Sequence, residues 1–128
     1  MPTILIADDE ANIVELVRMT LEDGRIQIME ALDGETALAL AESHRPDLVL
    51  LDVNLPDMSG LEICAQLRRN PRFVATKIVM LTAAAQADDV ARGLAAGADY
   101  YLTKPFSPVR LLGLIETLLP YTIVWQRG

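Results

Sequence analysis

The chain lacks much of what builds several common kinds of protein. It has a single cysteine, Cys64, so no internal disulfide can form and nothing points to a secreted, disulfide-stapled domain. Lys and Arg number 11 against 18 Asp and Glu, for a net charge of −7. Phosphate backbones and anionic membrane surfaces are bound by clustered cations, so direct nucleic-acid binding and membrane binding are both disfavoured. No apolar stretch approaches the ~20 residues needed to span a bilayer. The N-terminus carries no basic segment followed by a long apolar one, and runs directly into a strand-like stretch. A soluble, cytoplasmic protein is the expectation. Internal repeats, low-complexity tracts and Gly/Ser-rich linkers are also missing. At 128 residues and 52% apolar content, one domain with a sizeable core is the simplest organisation.

What remains is a regular alternation of short apolar runs and longer amphipathic ones. Strands are predicted at 3–8, 26–31, 47–52, 77–81 and 100–102, and helices at 10–22, 33–43, 59–69, 88–96 and 107–119. The first helix carries Ile13, Leu16, Val17 and Leu21 at helical spacing. Asp33 is a plausible N-cap, Gly97 a stop signal just past a helix, and Ser107-Pro108 an N-cap followed by proline at the first helical position. Such a β-then-α alternation predicts an α/β fold, an open, doubly wound parallel sheet of five strands with helices on both faces. The first, third and fourth strands are apolar almost throughout, as burial on both faces requires. Ile26-Gln27-Ile28-Met29-Glu30 alternates, as an edge strand should.

In such sheets ligands bind beyond the carboxyl ends of the strands. Here those ends carry chemistry. Ile4-Leu5-Ile6-Ala7 runs into Asp8-Asp9-Glu10, Leu48-Val49-Leu50-Leu51 into Asp52, Ile78-Val79-Met80-Leu81 into Thr82, and Tyr100-Tyr101-Leu102 through Thr103 into Lys104-Pro105. Carboxylates on neighbouring strand ends repel unless neutralised, and a hard divalent cation with oxygen ligands resolves the conflict. The first turn is acidic rather than glycine-rich, so it would repel a nucleotide or flavin phosphate rather than cradle it. Taken singly, each feature has a plain reading. The acids would favour a helix N-terminus, Thr82 would cap a helix, and Lys104 would be a surface lysine. Their joint placement at matching strand ends argues for a site.

The same residues resemble the signature of two-component response-regulator receiver domains (the CheY-like family). The resemblance rests on Asp8-Asp9, Asp52, Thr82 and Lys104-Pro105-Phe106, with Leu51-Asp52-Val53-Asn54-Leu55-Pro56-Asp57-Met58-Ser59-Gly60 and Ala96-Gly97-Ala98-Asp99-Tyr100-Tyr101-Leu102 in support. It covers residues 3–119. It implies a flavodoxin-like sheet of order 2-1-3-4-5 with five helices, a receiver domain over 1–120, and a short tail at 121–128 that could begin a linker. By the same resemblance Asp52 is the phosphoacceptor, and Asp9 and Asp52 ligate Mg²⁺ (or Mn²⁺) directly, with Asp8 acting through water. The backbone carbonyl of Asn54 completes the protein ligands. Thr82 and Lys104 contact the phosphoryl oxygens, and the Lys104–Pro105 peptide is expected to be cis.

Thr82 and Tyr101 would form the switch, altering the face built from the fourth helix, fifth strand and fifth helix. The implied partners are a sensor histidine kinase or histidine phosphotransfer protein, and an output domain or downstream protein on that face. A weak homodimer through the same face is also expected. The implied role is a signalling switch rather than an enzyme. A hydrolase passing through a phosphoaspartate would need a second acid two residues after the nucleophile, where this chain has Asn54.

Some positions depart from the family pattern. Tyr100 stands where a second Asp is common, and no acid follows Pro108, which weakens the case for a charge-paired dimer. Gly113 in mid-helix would serve close packing. Asn54 could orient a hydrolytic water, with Ala84 offering nothing to block one. Segment 83–87 is expected to be mobile, His44 to be a surface residue at a helix end rather than a phosphohistidine, Cys64 to serve packing, and Trp125 either to pack back on the domain or to lead toward an output domain.

Overall fold

The computed structural model describes residues 2–21, 26–83 and 87–119, with backbone only at 87–89. Its elements are β1 (Thr3–Ala7), α1 (Ala11–Leu21), β2 (Gln27–Ala31), α2 (Gly34–His44), β3 (Leu48–Asp52), α3 (Gly60–Arg69), β4 (Lys77–Thr82), α4 (Ala87–Ala95), β5 (Tyr100–Thr103) and α5 (Pro108–Leu118), with a short 3₁₀ turn at Pro71–Phe73. All pairings are parallel, in the order β2-β1-β3-β4-β5. The expected architecture is therefore observed, and chain reversal at β1 places a switch point between β1 and β3.

The two faces of the sheet are covered separately. Ile4, Ile6, Leu48, Leu50, Val79 and Leu81 pack against α1 and α5 through Val17, Leu21, Leu111 and Ile115. Their strand neighbours Leu5, Ala7, Val49, Leu51, Ile78 and Met80 face Ala37, Ala41, Ile63, Cys64 and Leu67 of α2 and α3. Every residue of β3 is buried, which explains why that strand is apolar throughout until Asp52. Cys64 sits in the second layer, its thiol donating to Ala96 O at 3.6 Å; burial pushes its pKa up to about 11, which suits a packing role.

The local signals act as chemistry requires. Asp33 accepts the Thr36 N–H at the start of α2, and Ser107 accepts the Arg110 N–H at the start of α5. Gly97, past the end of α4, has φ 106°, a region glycine enters without steric cost. Gly113 is different from expectation. Among the described residues a methyl group added there would meet nothing within 4 Å, so it does not serve close packing against them. The 3₁₀ turn was absent from the sequence reading; its Phe73 is fully buried beneath α3 and β4. Among the described residues no helix is long and apolar enough to cross a membrane. The expected mobility around Ala84–Gln86 and the packing of Trp125 fall outside the described residues.

Candidate functional site

Strand register brings the chemistry together. Ala7 pairs with Leu51, so Asp8 and Asp52 leave the sheet side by side. Asp52 pairs with Leu81, and Thr82 with Thr103, which sets Lys104 one step beyond. The ladder continues past the strands and fixes this edge. Asp8 N–H donates to Ala31 O at 3.0 Å, Val53 N–H to Leu81 O at 3.0 Å, and Lys104 N–H to Thr82 O at 2.7 Å. The Lys104–Pro105 peptide is cis.

Lys104 is the centre of the cluster. Its Nζ lies 2.5 Å from Glu10 Oε1, 3.1 Å from Asp8 Oδ2 and 3.4 Å from Asp52 Oδ2. Asp8 is wholly buried, while Asp52, Thr82 and Lys104 are nearly so. Burial disfavours the Lys104 ammonium, but the hydrogen bonds it donates to Glu10 and Asp8 and the charge of Asp52 outweigh it, and the pKa rises. Asp52 is shifted the other way from a free carboxylate. Burial raises its pKa to about 6, aided by the Asp8 charge and opposed by the Asn54 N–H and by Lys104. Its ionised form is therefore costly in this setting, and positive charge placed beside it would relieve that cost.

The loop after β3 shapes the mouth of the site. Asn54 N–H donates to Asp52 Oδ1 at 3.1 Å, and Gly60 N–H donates to Val53 O at 2.7 Å. A Cβ on Gly60 would lie 2.0 Å from the Asp52 carbonyl oxygen, so only glycine lets α3 start this close. Asp57 ties the loop to α2, accepting the N–H groups of Gly34 and Glu35 at 2.6 and 2.9 Å, which hold its pKa below the usual carboxylate value. The Asp57 tether was not foreseen; its place three residues before a Gly helix start gave no sign of a partner on another helix.

Of the expected site residues, the structure gathers Asp8, Asp52, Thr82 and Lys104 at one edge. Asn54 sits at its rim, and Tyr101 lies half-buried against the α2–α3 layer with its ring stacked on that of Tyr100, centroids 5.5 Å apart. Asp9 is exposed and outside the carboxylate group, whereas Glu10 belongs to it. Oxygens of Asp8, Glu10 and Asp52 lie within 4.8 Å of one another. Three carboxylates against one ammonium leave excess negative charge on hard oxygen donors, which fits a divalent cation of the Mg²⁺ kind. Glu10 could have been found from its place directly after the acidic pair, but alternation along the chain could not say which acids face inward. The turn decides it, because Asp8 Oδ1 accepts the Glu10 N–H at 2.9 Å and folds the chain back over the site.

Known proteins share this sequence pattern and this fold. Residues 4–116 match the family described as the response regulator receiver domain. The DNA-binding dual master transcriptional regulator RpaA of Synechocystis is 42% identical over 122 residues, covering 95% of this chain and 51% of that protein. The chain thus spans about half the length of the curated relatives it matches. Among solved structures, the chemotaxis response regulator CheY4 of Vibrio cholerae superposes with a TM-score of 0.86 at 36% identity, covering 92% of this chain and 98% of that one. The BeF₃-activated DrrB receiver domain gives 0.83 at 35% identity, covering 94% and 98%. With the fold, the strand-end cluster and a sequence match over most of its length in agreement, the chain belongs to the response regulator receiver domain family.

Proposed function

We propose that this domain is a phosphorylation switch that accepts a phosphoryl group on Asp52 from a sensor histidine kinase or a histidine phosphotransfer protein. The observation that carries the reading is the setting of Asp52. It is a buried strand-end carboxylate with one oxygen held by the Asn54 N–H and the other facing Lys104 at 3.4 Å. An Asp52 oxygen attacks phosphorus, the P–N bond of the donor phosphohistidine breaks, and the imidazole nitrogen keeps the electron pair and takes up a proton. The product is an acyl phosphate. Lys104 pairs with one phosphoryl oxygen and the Thr82 hydroxyl donates to another, which is the positioning and charge neutralisation that phosphoryl transfer needs.

Asp9, Asp52 and the Asn54 carbonyl, with Asp8 in support, would hold Mg²⁺ (or Mn²⁺), which would supply further neutralisation of the phosphoryl oxygens. Glu10 is the additional carboxylate within reach. Asp9 reaches such an ion only by turning its exposed side chain inward.

The output side of the reading is the face of α4, β5 and α5. Thr82 and Tyr101 lie on adjacent strands, and Tyr101 pairs with Met80 one turn of the pleat before Thr82. A charge arriving at Asp52 biases Thr82 and the Tyr101 ring together, a two-state element of the kind that modification switches use. Part of this face is a mainly apolar groove of about 370 Å³ between β5 and α5, lined by Tyr100, Leu102, Val109 and Leu114 together with Arg110 and Thr117. This suits contact with an output domain, a downstream protein or, weakly, a second copy. RpaA is named as DNA-binding; for this chain, with its net charge of −7, any such activity would belong to a partner domain. Residues 1–120 would be the receiver, 121–128 a tail or linker, and the setting cytoplasmic.

The DrrB receiver is described as activated by beryllofluoride, and the same probe tests this chain. Beryllofluoride with Mg²⁺ should shift the NMR signals of Thr82 and Tyr101 in the wild type and leave Asp52→Asn unaffected. Equal responses in both proteins, or none in the wild type, would defeat the reading.

A further inference from the structure

We propose that Glu10 is an internal competitor for the phosphoryl group. In the resting domain its carboxylate holds the Lys104 hydrogen bond that a phosphoryl oxygen must take over. The inference rests on Asp52 being the phosphoacceptor and assigns a role to a residue outside the family signature quoted above.

An ammonium has three protons to give. Lys104 hydrogen-bonds Glu10 at 2.5 Å and Asp8 at 3.1 Å and ion-pairs with Asp52 at 3.4 Å, so an incoming oxygen must compete with carboxylates for the ammonium. The partner easiest to displace is the one nearest solvent. Asp8 is fully buried and its other oxygen is engaged by the Glu10 N–H, so its withdrawal would strand a charge away from water. Asp52 is the atom being modified. Lys104 is itself buried and cannot follow a partner outward. Glu10 alone is half-exposed, its side chain 51% accessible, and can swing into solvent at little cost.

Its backbone need not move. Glu10 O accepts the N–H groups of Ile13 and Val14 at 3.0 and 3.2 Å and stays with the first turn of α1. Glu10 also makes the shortest of the three contacts, and a carboxylate beside the entry path repels an anion. Its departure therefore frees a donor and removes a like charge in one rotamer change.

The experiment compares wild type and Glu10→Gln, which keeps size and hydrogen-bonding capacity but loses the charge. Three quantities are read: the Mg²⁺ dissociation constant alone, the beryllofluoride dissociation constant at saturating Mg²⁺, and urea unfolding. We expect Glu10→Gln to bind beryllofluoride about 2- to 5-fold more tightly, the span of an ion pair with one half-exposed partner. Mg²⁺ affinity should fall by no more than about 2-fold, and the ligand-free domain should lose no more stability than the same change of about 2- to 5-fold in its folding constant. Unchanged beryllofluoride affinity overturns the proposal, since the contact would then be incidental. Weakening of both Mg²⁺ and beryllofluoride by about 10-fold or more also overturns it, because Glu10 would then be a cation ligand. If wild type binds Mg²⁺ but no beryllofluoride, the phosphoacceptor reading fails, and this inference fails with it by a separate, recognisable route.

Discussion

Asp52 holds two properties in tension, and both follow from its burial. Its pKa rises from 3.8 to about 6 because the ionised form loses water, and Asp8 adds repulsion that Asn54 and Lys104 offset only in part. A raised carboxyl pKa means that the folded protein binds a proton more readily than the unfolded chain does. The associated stability is full below about pH 4 and is lost as pH rises through about 6. Undamped, the shift corresponds to about 3 kcal/mol; water at the mouth of the cleft reduces this to about 1–2 kcal/mol. Asp52→Asn should therefore stabilise the metal-free protein by about 1–2 kcal/mol at pH 7 and by almost nothing at pH 4. Urea unfolding in the presence of a chelator measures it, and loss of folding in the variant would show that the cluster is structural. At this scale the sequence made Asp8, Asp52, Thr82 and Lys104 legible because each ends a strand, and strand ends share an edge. It could not rank Asp9 against Glu10, because which acid turns inward depends on a side chain-to-backbone bond in the turn, not on any period.

Elements are positioned by two glycines with opposite meanings. At Gly60 the helix α3 begins against the Asp52 carbonyl, and a methyl group would sit 2.0 Å from that oxygen. Backbone cannot yield as a flexible side chain can, so Gly60→Ala should destabilise by about 3 kcal/mol, the upper range for overpacking. It should also displace Asp52, so beryllofluoride affinity would fall with stability, as thermal unfolding with and without the probe would show. Gly113 is an exposed position of α5 with no described atom near an added methyl, and Gly113→Ala should stabilise by about 0.5–1 kcal/mol through helix propensity alone. A measured loss would mean that the added methyl meets something the described residues do not include. Long amphipathic elements with caps were readable in the sequence to within a residue or two. The turn at Pro71–Phe73 was not, since three residues are too few to carry a period, and the burial of Phe73 depends on α3 and β4 already being in place. Arg68 shows the same limit. It donates to Gly97 O, Phe73 O and Asp99 and so ties α3 to the loop before β5, a link across about thirty residues that no local pattern announces.

For the whole molecule, the alternation of apolar runs sets the α/β class and the register sets the site, so the stability of the fold and the charge of the cleft are one linked quantity. Four of the five parallel strands deliver Asp8, Asp52, Thr82 and Lys104 to one edge with negative charge in excess. The fold therefore carries a repulsion that a cation relieves. Anything that binds only the folded state stabilises it in proportion to its occupancy, about 2.7 kcal/mol at 100 times its dissociation constant. Mg²⁺ should thus raise the unfolding temperature of the wild type, and much less that of Asp52→Asn, which lacks one of the cleft's carboxylates. Protons compete for the same oxygen. With the Asp52 pKa at about 6, the apparent Mg²⁺ affinity should be nearly constant above pH 7 and weaken by up to about 10-fold for each pH unit below 6. Calorimetric titration at pH 5, 6, 7 and 8 reads this directly, with Asp52→Asn showing a shallower pH dependence. A pH-independent affinity in the wild type would mean that Asp52 is not among the ligands, and that the charge relieved by the cation lies elsewhere on the edge.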